Sequence, residues 1–582
     1  MKRFSATRRD FLKTVGLGAA SLPMRGTPSA AEESARRPNV VLVITDDQGY
    51  GDLGCHGNEV IRTPNLDRLH SQSLRLTNFH VDPTCSPTRS SLMTGRYSSR
   101  TGVWHTIMGR SILRRDEVTM ADVFGAGGYR TSIFGKWHLG DNYPYRPQDR
   151  GFHEVLIHGG GGVGQGPDYW GNDYFDDTYF HNGTPTPFKG YCTDVWFENA
   201  MRFIEANRER PFFVYLTTNA PHGPFNVAEK YSKPYRDKGV EERRANFWGM
   251  ITNIDENMGR LMQRLRELDL ERDTILIFMT DNGSSAGESG GWRGKKGSEY
   301  DGGHRVPFFI RWPGGGIEAM TDAGRLTAHI DVLPTLIELC GLPKPEGVAF
   351  DGTSLVPLLS GQGADWPDRT LFVHSQRIEH PEMWRKCAVM TDRWRLVNGE
   401  ILNDMQADPG QTKNVGDMHP EVVQTLRKAY EDWWADLSRR FDEYCEIVIG
   451  SDEANPCRLM SHDWHGPKPA WSQGSVRSGA KSNGFWAVEV ARGGTYEFSL
   501  RRWPIEVDAP ITAAIANGKA ISAATARLTI ADVNMTQPIP EGAHEVSFRV
   551  QLKAGKTRLQ TWLTDDEGAS RGAYYVYVKR IS

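Results

Sequence analysis

The chain has 582 residues, too many for one ordinary hydrophobic core, so two or three domains are expected. With 38% hydrophobic and 24% charged residues the composition is globular, and a formal net charge of −3 offers no basic field for nucleic acid. After the N-terminus no apolar run is long enough to cross a bilayer. The seven cysteines (Cys55, Cys85, Cys192, Cys340, Cys387, Cys445, Cys457) show neither a C-x-x-C pair nor metal spacing, which predicts mostly free, buried thiols.

The chain opens with Thr7-Arg8-Arg9-Asp10-Phe11-Leu12-Lys13 and a mild apolar run over 14–22. This resembles a twin-arginine export signal, with Ser29-Ala30-Ala31 as the cleavage site. It predicts a signal peptide over 1–31 and an exported protein, periplasmic or secreted. The continuous apolar run 39–45 reads as a buried, parallel strand, with Asp46 and Asp47 at its C-terminal end. Thr63-Pro64 caps and opens a helix.

Next comes Cys85-Ser86-Pro87-Thr88-Arg89, continuing to Arg96. A cysteine is most often a small buried hydrophobe. Here Pro87 suits a helix's first turn, so the run predicts a short helix with Cys85 at its mouth. Free amides and a partial positive charge at that end suit an anion, and Arg89 adds a fixed positive fork one turn on.

Three later runs repeat the pattern of a strand followed by a polar loop. Residues 131–134 precede Lys136 and His138, residues 212–216 precede His222, and residues 274–280 precede Asp281 and Asn282. Helices intervene, one over roughly 242–268, so the architecture reads as α/β with a mostly parallel sheet. Four strands then deliver reactive residues from their C-terminal ends, where open α/β sheets place their sites. Asp46, Asp47, Asp281 and Asn282 supply oxygen donors, which suit Ca²⁺ or Mg²⁺ rather than Zn²⁺. Asp-Asp pairs at strand ends also serve as helix caps.

The segment 159–162 and Asp168-Tyr169-Trp170-Gly171-Asn172-Asp173-Tyr174 form a long polar and aromatic insertion. Long loops of this kind are usually functional, and Asp168, Trp170 and Asn172 are candidate sugar-binding residues there, against ordinary loop packing. Lys295 and Lys296 lie in the loop 294–303, ahead of a strand at 306–310. Proline and glycine thicken over 341–361 and mark a boundary. Short alternating runs over 373–398 and an amphipathic helix over 420–437 follow. From Gly484 short strands and turns predict a β-sandwich of about one hundred residues. Trp503 and Trp562 offer flat faces to a carbohydrate there, although strand-borne tryptophans are usually core.

The motif Cys85-x-Pro87-x-Arg89 resembles the signature of type I sulfatases of the alkaline phosphatase superfamily. Asp46-Asp47, Gly135-Lys136-Trp137-His138-Leu139-Gly140, His222, Asp281-Asn282 and Lys296-Gly297-Ser298 follow the family's order. The resemblance implies an alkaline-phosphatase-like α/β catalytic domain over 38–360. It further implies a smaller antiparallel α+β subdomain over 361–465, ahead of the β-sandwich at 470–582. It implies that Cys85 is oxidised to formylglycine by a formylglycine-generating enzyme or an anaerobic maturase. The hydrated aldehyde is then the nucleophile, and Ca²⁺, with Mg²⁺ the alternative, sits on Asp46, Asp47, residue 85, Asp281 and Asn282. Arg89, Lys136 and Lys296 would surround the sulfate. His222, with Lys296, would protonate the leaving oxygen, and His138 would take the proton that expels sulfate. The family's Lys-Gly-Ser/Thr pattern selects Lys296 over Lys295. The implied activity is arylsulfatase-like hydrolysis of a sulfate ester, on sulfated carbohydrate. The rivals are a phosphonate monoester or phosphodiester hydrolase of the same superfamily, and a non-catalytic glycan-binding protein.

Overall fold

The computed structural model describes residues 37–317 and 321–582, so the expected signal peptide lies outside the described residues. A ten-stranded sheet organises the first part of the chain. Its five central strands are parallel, in the spatial order Thr274–Thr280, Asn39–Thr45, Phe212–Thr217, Arg130–Lys136, Glu154–His158. Side chains alternate between faces along a strand. Val40, Leu42 and Ile44 therefore enter one core, with Leu92, Phe124 and Leu336. Val41 and Val43 enter another, against Trp196, Met250, Ile254 and Leu261 of the helices Cys192–Ala206 and Glu242–Glu267. Burial on both faces is why these strands read as unbroken apolar runs. Phe308–Arg311, expected simply as a further strand, lies antiparallel to Thr274–Thr280.

A four-stranded antiparallel sheet follows, Leu371–His374, Cys387–Met390, Trp394–Val397 and Ile401–Asp404. The helix Pro420–Leu437 lays Leu426, Tyr430, Trp434 and Leu437 on Cys387, Val389, Leu396 and Leu402.

The C-terminal part is two packed sheets, one of six strands and one of four. Their inner faces share one core that includes Trp486, Val488, Phe498, Leu500 and Val576. Two of their strands, Ile447–Ile449 and Cys457–Met460, precede residue 465. The division expected at 465–470 thus runs inside this unit. Trp503 is fully buried in its core, and its indole N–H donates to the Pro510 carbonyl at 3.1 Å, so it offers no face to a sugar. Trp562 is half-buried, with the Arg527 guanidinium 4.7 Å over its ring. All seven cysteines are free thiols, and only Cys55 is more than slightly exposed. Among the described residues no helix is long and apolar enough to cross a membrane.

Candidate active site

Cys85 begins the helix Cys85–Thr94, all ten residues of which are buried. Gly95 ends the helix in the left-handed region at φ 66°, a conformation that suits glycine. Cys85 therefore sits where the helix offers unpaired amides and partial positive charge. It lies at the C-terminal edge of the parallel strands, among the side chains that those strands deliver.

Ligand atoms of Asp46, Cys85 and Asp281 all lie within 4.8 Å of one another. Around them three cations are locked to acids. Arg89 donates to Asp281 Oδ2 from Nη2 at 2.8 Å and from Nε at 3.2 Å, and from Nη1 to the Lys136 carbonyl at 3.1 Å and the Thr217 hydroxyl. Lys136 Nζ pairs with Asp46 Oδ2 at 2.5 Å, and Lys296 Nζ with Asp47 Oδ1 at 2.6 Å. The Asn282 amide donates to Asp47 Oδ1 at 2.9 Å, and the Asp47 backbone N–H to Asp281 Oδ1 at 3.1 Å. Lys136 is the last residue of its strand, not a loop residue as expected. Lys295 points elsewhere, donating to the Gly287 carbonyl at 2.9 Å.

Although each acid has a cation beside it, the buried carboxylates still act on one another. Burial and the Asp46 charge push the Asp281 carboxyl up to about 7, against the pull of Arg89 and Lys136. Burial works to raise Asp47 too, but Lys296 and His222 overcome it and hold the carboxyl below its ordinary range. Asp47 returns the effect. Burial works to lower Lys296, and the Asp47 charge keeps its pKa above the usual lysine value. Asp46 Oδ1 and Asn282 Oδ1 are buried with no hydrogen-bond partner. Unpaired buried acceptors beside a strained carboxylate pair are what a hard divalent cation satisfies. The oxygen donor set therefore fits Ca²⁺ or Mg²⁺.

Two expected histidines border this centre. His138 Nε2–H donates to the Thr106 carbonyl at 2.8 Å, which leaves Nδ1 as the basic nitrogen, buried and unpartnered. Burial and the Lys136 charge hold it neutral, well below the ordinary histidine value. His222 Nδ1–H donates to the Gly223 carbonyl at 2.7 Å and its Nε2 lies 3.9 Å from Asp47 Oδ2. Burial, then Lys296, lowers its pKa to about 4. The Gly-rich loop packs against both rings. A Cβ at Gly161 would lie 2.0 Å from His138 Cε1, and one at Gly162 3.2 Å from His222.

His158 was not expected. It ends the strand Glu154–His158 in register with Lys136, is fully buried, and its Nε2 has no partner. The strand-end rule that selected the other residues would have found it. Thr217, which braces Arg89, gave no signal beyond its place at the end of its strand.

Asp168, Trp170 and Asn172, expected as sugar-binding residues, find their partners in the insertion and the C-terminal unit and not among the catalytic side chains. Asp168 accepts from the Gly164 and Tyr169 backbone N–H groups and from Asn172 Nδ2 at 3.1, 2.9 and 3.0 Å. Asn172 is also spent on Thr178, donating to its carbonyl at 2.9 Å and accepting from its N–H at 3.0 Å. Trp170 packs edge-on against Trp503, ring centroids 5.5 Å apart. Asp168 and Asn172 hold the insertion together, and Trp170 fastens it to the C-terminal unit.

A helix-mounted cysteine facing paired carboxylates and locked cations, at the C-terminal edge of a parallel α/β sheet, defines a site for an anionic ester. Comparison with known proteins gives the class its family. The family model "Sulfatase" matches residues 38–342, more than half the chain, and "N-sulphoglucosamine sulphohydrolase, C-terminal" matches 287–435. The chain belongs to the sulfatase family, as a type I sulfatase of the alkaline phosphatase superfamily. Human arylsulfatase A is 33% identical over 428 residues, which are 64% of this chain and 78% of the relative. Human N-acetylgalactosamine-6-sulfatase is 30% identical over 385 residues, 60% of this chain and 69% of the relative. The crystal structure of Ps i-CgsB with k-i-k-neocarrahexaose superposes with a TM-score of 0.65 at 25% identity, covering 71% of this chain and 95% of that one. The protein is thus a sulfatase, an enzyme that hydrolyses sulfate esters.

Proposed function

We propose that the substrate is a sulfate monoester of a carbohydrate, and that the nucleophile is a formylglycine made from Cys85. The convergence of Cys85, Asp46 and Asp281 within 4.8 Å, ringed by Arg89, Lys136 and Lys296, carries this reading. Carbohydrate is favoured by the similar proteins, one an N-acetylgalactosamine-6-sulfatase and another bound to a neocarrahexaose.

Hydrated formylglycine supplies an oxygen nucleophile whose second hydroxyl allows sulfate to be released afterwards. Asp46, Asp47, Asp281, Asn282 and residue 85 would hold Ca²⁺, which would supply Lewis-acid charge for the sulfate. The chain's own residues do the rest. Arg89, braced at four points, and Lys136 and Lys296 meet the charge that repels a nucleophile from a sulfate ester. Protonated Lys296 is the acid for the leaving oxygen, and neutral His222, its Nδ1–H spent on the Gly223 carbonyl, lies beside the same carboxylate. Neutral His138 presents a free Nδ1 as base for the release step. Because Cys85 and its whole helix are buried, the maturase must meet this segment before it folds. Export of an already folded protein by the twin-arginine route is consistent with that order.

The test is the release of sulfate against phosphate from matched aryl esters by the matured enzyme. Sulfate-ester turnover exceeding phosphodiester turnover is expected. Efficient phosphodiester or phosphonate cleavage with feeble sulfatase activity would assign the site to the other branch of the superfamily.

A further inference from the structure

A cleft of about 760 Å³ that the reaction described above does not use lies against the backbone next to Thr106, the residue that holds His138. Three parts of the chain wall it, namely the loop around Ile107, the segment around Arg377, and the stretch from Pro467 to Ser482 of the C-terminal unit. Its size is that of a small-ligand site. Two of its walls also support the catalytic histidines. Ile107 follows Thr106, whose carbonyl accepts from His138 Nε2 at 2.8 Å. The Trp471 carbonyl accepts at 2.9 Å from the N–H of Gly166, in the loop whose Gly161 and Gly162 abut His138 and His222.

The lining has a definite chemistry. Trp471 is 42% exposed, more than any other tryptophan among the described residues. An indole left in water at the mouth of a cleft is a flat apolar platform, the surface that the C–H face of a sugar ring covers. Arg377, Lys468 and Lys481 are exposed in the same lining. Its single carboxylate, Glu379, is already paired with Arg110 at 3.2 Å and His465 at 2.9 Å. Three cations therefore face the cleft with no acid in the lining left to balance them, a field that selects anions.

We propose that this cleft is a second saccharide subsite, in which Trp471 stacks on a sugar next to the one losing sulfate and Arg377, Lys468 and Lys481 hold its anionic group. This rests on the reading of the enzyme as a carbohydrate sulfatase and adds the substrate's form: an oligosaccharide with a second sulfate or a carboxylate. It also gives the C-terminal unit a part in substrate recognition, through residues outside its strands.

The test is calorimetric titration of the full-length chain carrying Cys85→Ala, so that no probe is consumed. The probes are a κ-carrageenan hexasaccharide (sulfate only), a hyaluronan hexasaccharide (carboxylate only) and neutral neoagarohexaose. At least one charged probe binds, and the neutral one binds at least tenfold more weakly. Trp471→Ala, and separately Lys468→Ala with Lys481→Ala, each weaken the charged probe at least tenfold, while Trp471→Phe, which keeps a ring, stays within threefold. The charged probe that responds identifies the anion. Thermal midpoints matching the parent's show that each variant folds, and either one that does so suffices. Binding of neither charged probe, equal binding of the neutral one, or no effect in a folded variant overturns the subsite. If instead the matured enzyme turns over no aryl sulfate, the sulfatase reading fails, whatever the titrations show.

Discussion

Replacing Gly161 by alanine tests how tightly the Gly-rich loop holds the catalytic base. Gly161 lies outside the left-handed backbone region, so alanine adds bulk without backbone strain. Its Cβ would fall 2.0 Å from His138 Cε1 and 2.2 Å from Nε2. Real Cβ contacts do not fall below 3.0 Å, so something must move by about 1 Å. The loop is pinned by hydrogen bonds from Gly160 N to Asp141 Oδ1, Gly161 N to Gln165 Oε1 and Gly166 N to the Trp471 carbonyl, each 2.9 Å. The His138 ring has one, to Thr106, so the ring is what yields. A displacement of about 1 Å in a catalytic group costs on the order of 100-fold in kcat, and overpacking of this kind about 1–3 kcal/mol of stability. Gly162→Ala is the graded partner. Its 3.2 Å approach to His222 needs only a few tenths of an ångström and should lower kcat by about threefold or less. The assay is steady-state sulfate release from an aryl sulfate at saturating substrate, with thermal midpoints in parallel. A folded Gly161→Ala enzyme within about threefold of the wild-type kcat would refute the positioning argument.

Other outcomes follow from the same geometry. Arg89→Ala leaves Asp281 buried and uncompensated, both partners having been fully buried, and should cost about 3–5 kcal/mol in urea unfolding. Arg89→Lys should not restore the loss, because an ammonium cannot reproduce the fork on Asp281. Treatment with a chelator should lower the thermal midpoint, and Ca²⁺ at a hundred times its Kd should return about 2.7 kcal/mol, but not in Asp46→Asn. Identical midpoints with chelator and with Ca²⁺ would exclude a metal on these carboxylates. His374 is buried, which lowers its pKa to about 4. Below pH 6.5 the unfolded chain takes up a proton there that the folded chain refuses, so stability falls as pH drops toward 4. His374→Gln should reduce the loss of stability between pH 7 and pH 5 by about 2 kcal/mol relative to wild type, read from urea midpoints. Parallel pH dependences in the two proteins would contradict the assignment.

The catalytic centre was legible because its residues stand at the ends of strands buried on both faces. Val40 to Ile44 and Ile275 to Met279 cannot alternate polar and apolar residues, and the first polar residues after them mark the sheet's C-terminal edge. His158 obeys the same rule, but its strand is short and runs straight into four glycines, so its end carries no polar marker beyond the histidine itself. The roles of Gly161 and Gly162 arise from close approach across the fold, which no local pattern encodes. For Asp168 and Asn172, loop polarity looks the same whether it serves a ligand or the loop's own backbone, and their hydrogen bonds here go to the backbone. Trp471 carries no signal for the converse reason. It follows a Pro-Lys-Pro-Ala stretch with no strand pattern, whereas Trp503, in a strand-rich region, is core. Ile447–Ile449 and Cys457–Met460 are too short for periodicity to attach them to sheets completed a hundred residues later.

The most direct measurement is the mass of the tryptic peptide running from Leu76 to Arg89, from protein made in cells that carry a formylglycine-generating enzyme. A peptide lighter by the exchange of thiol for aldehyde, and captured by a hydrazide, is predicted, with sulfatase activity rising in proportion to the converted fraction. An unmodified Cys85 in active enzyme, with a control sulfatase converted in the same cells, would contradict formylglycine as the nucleophile.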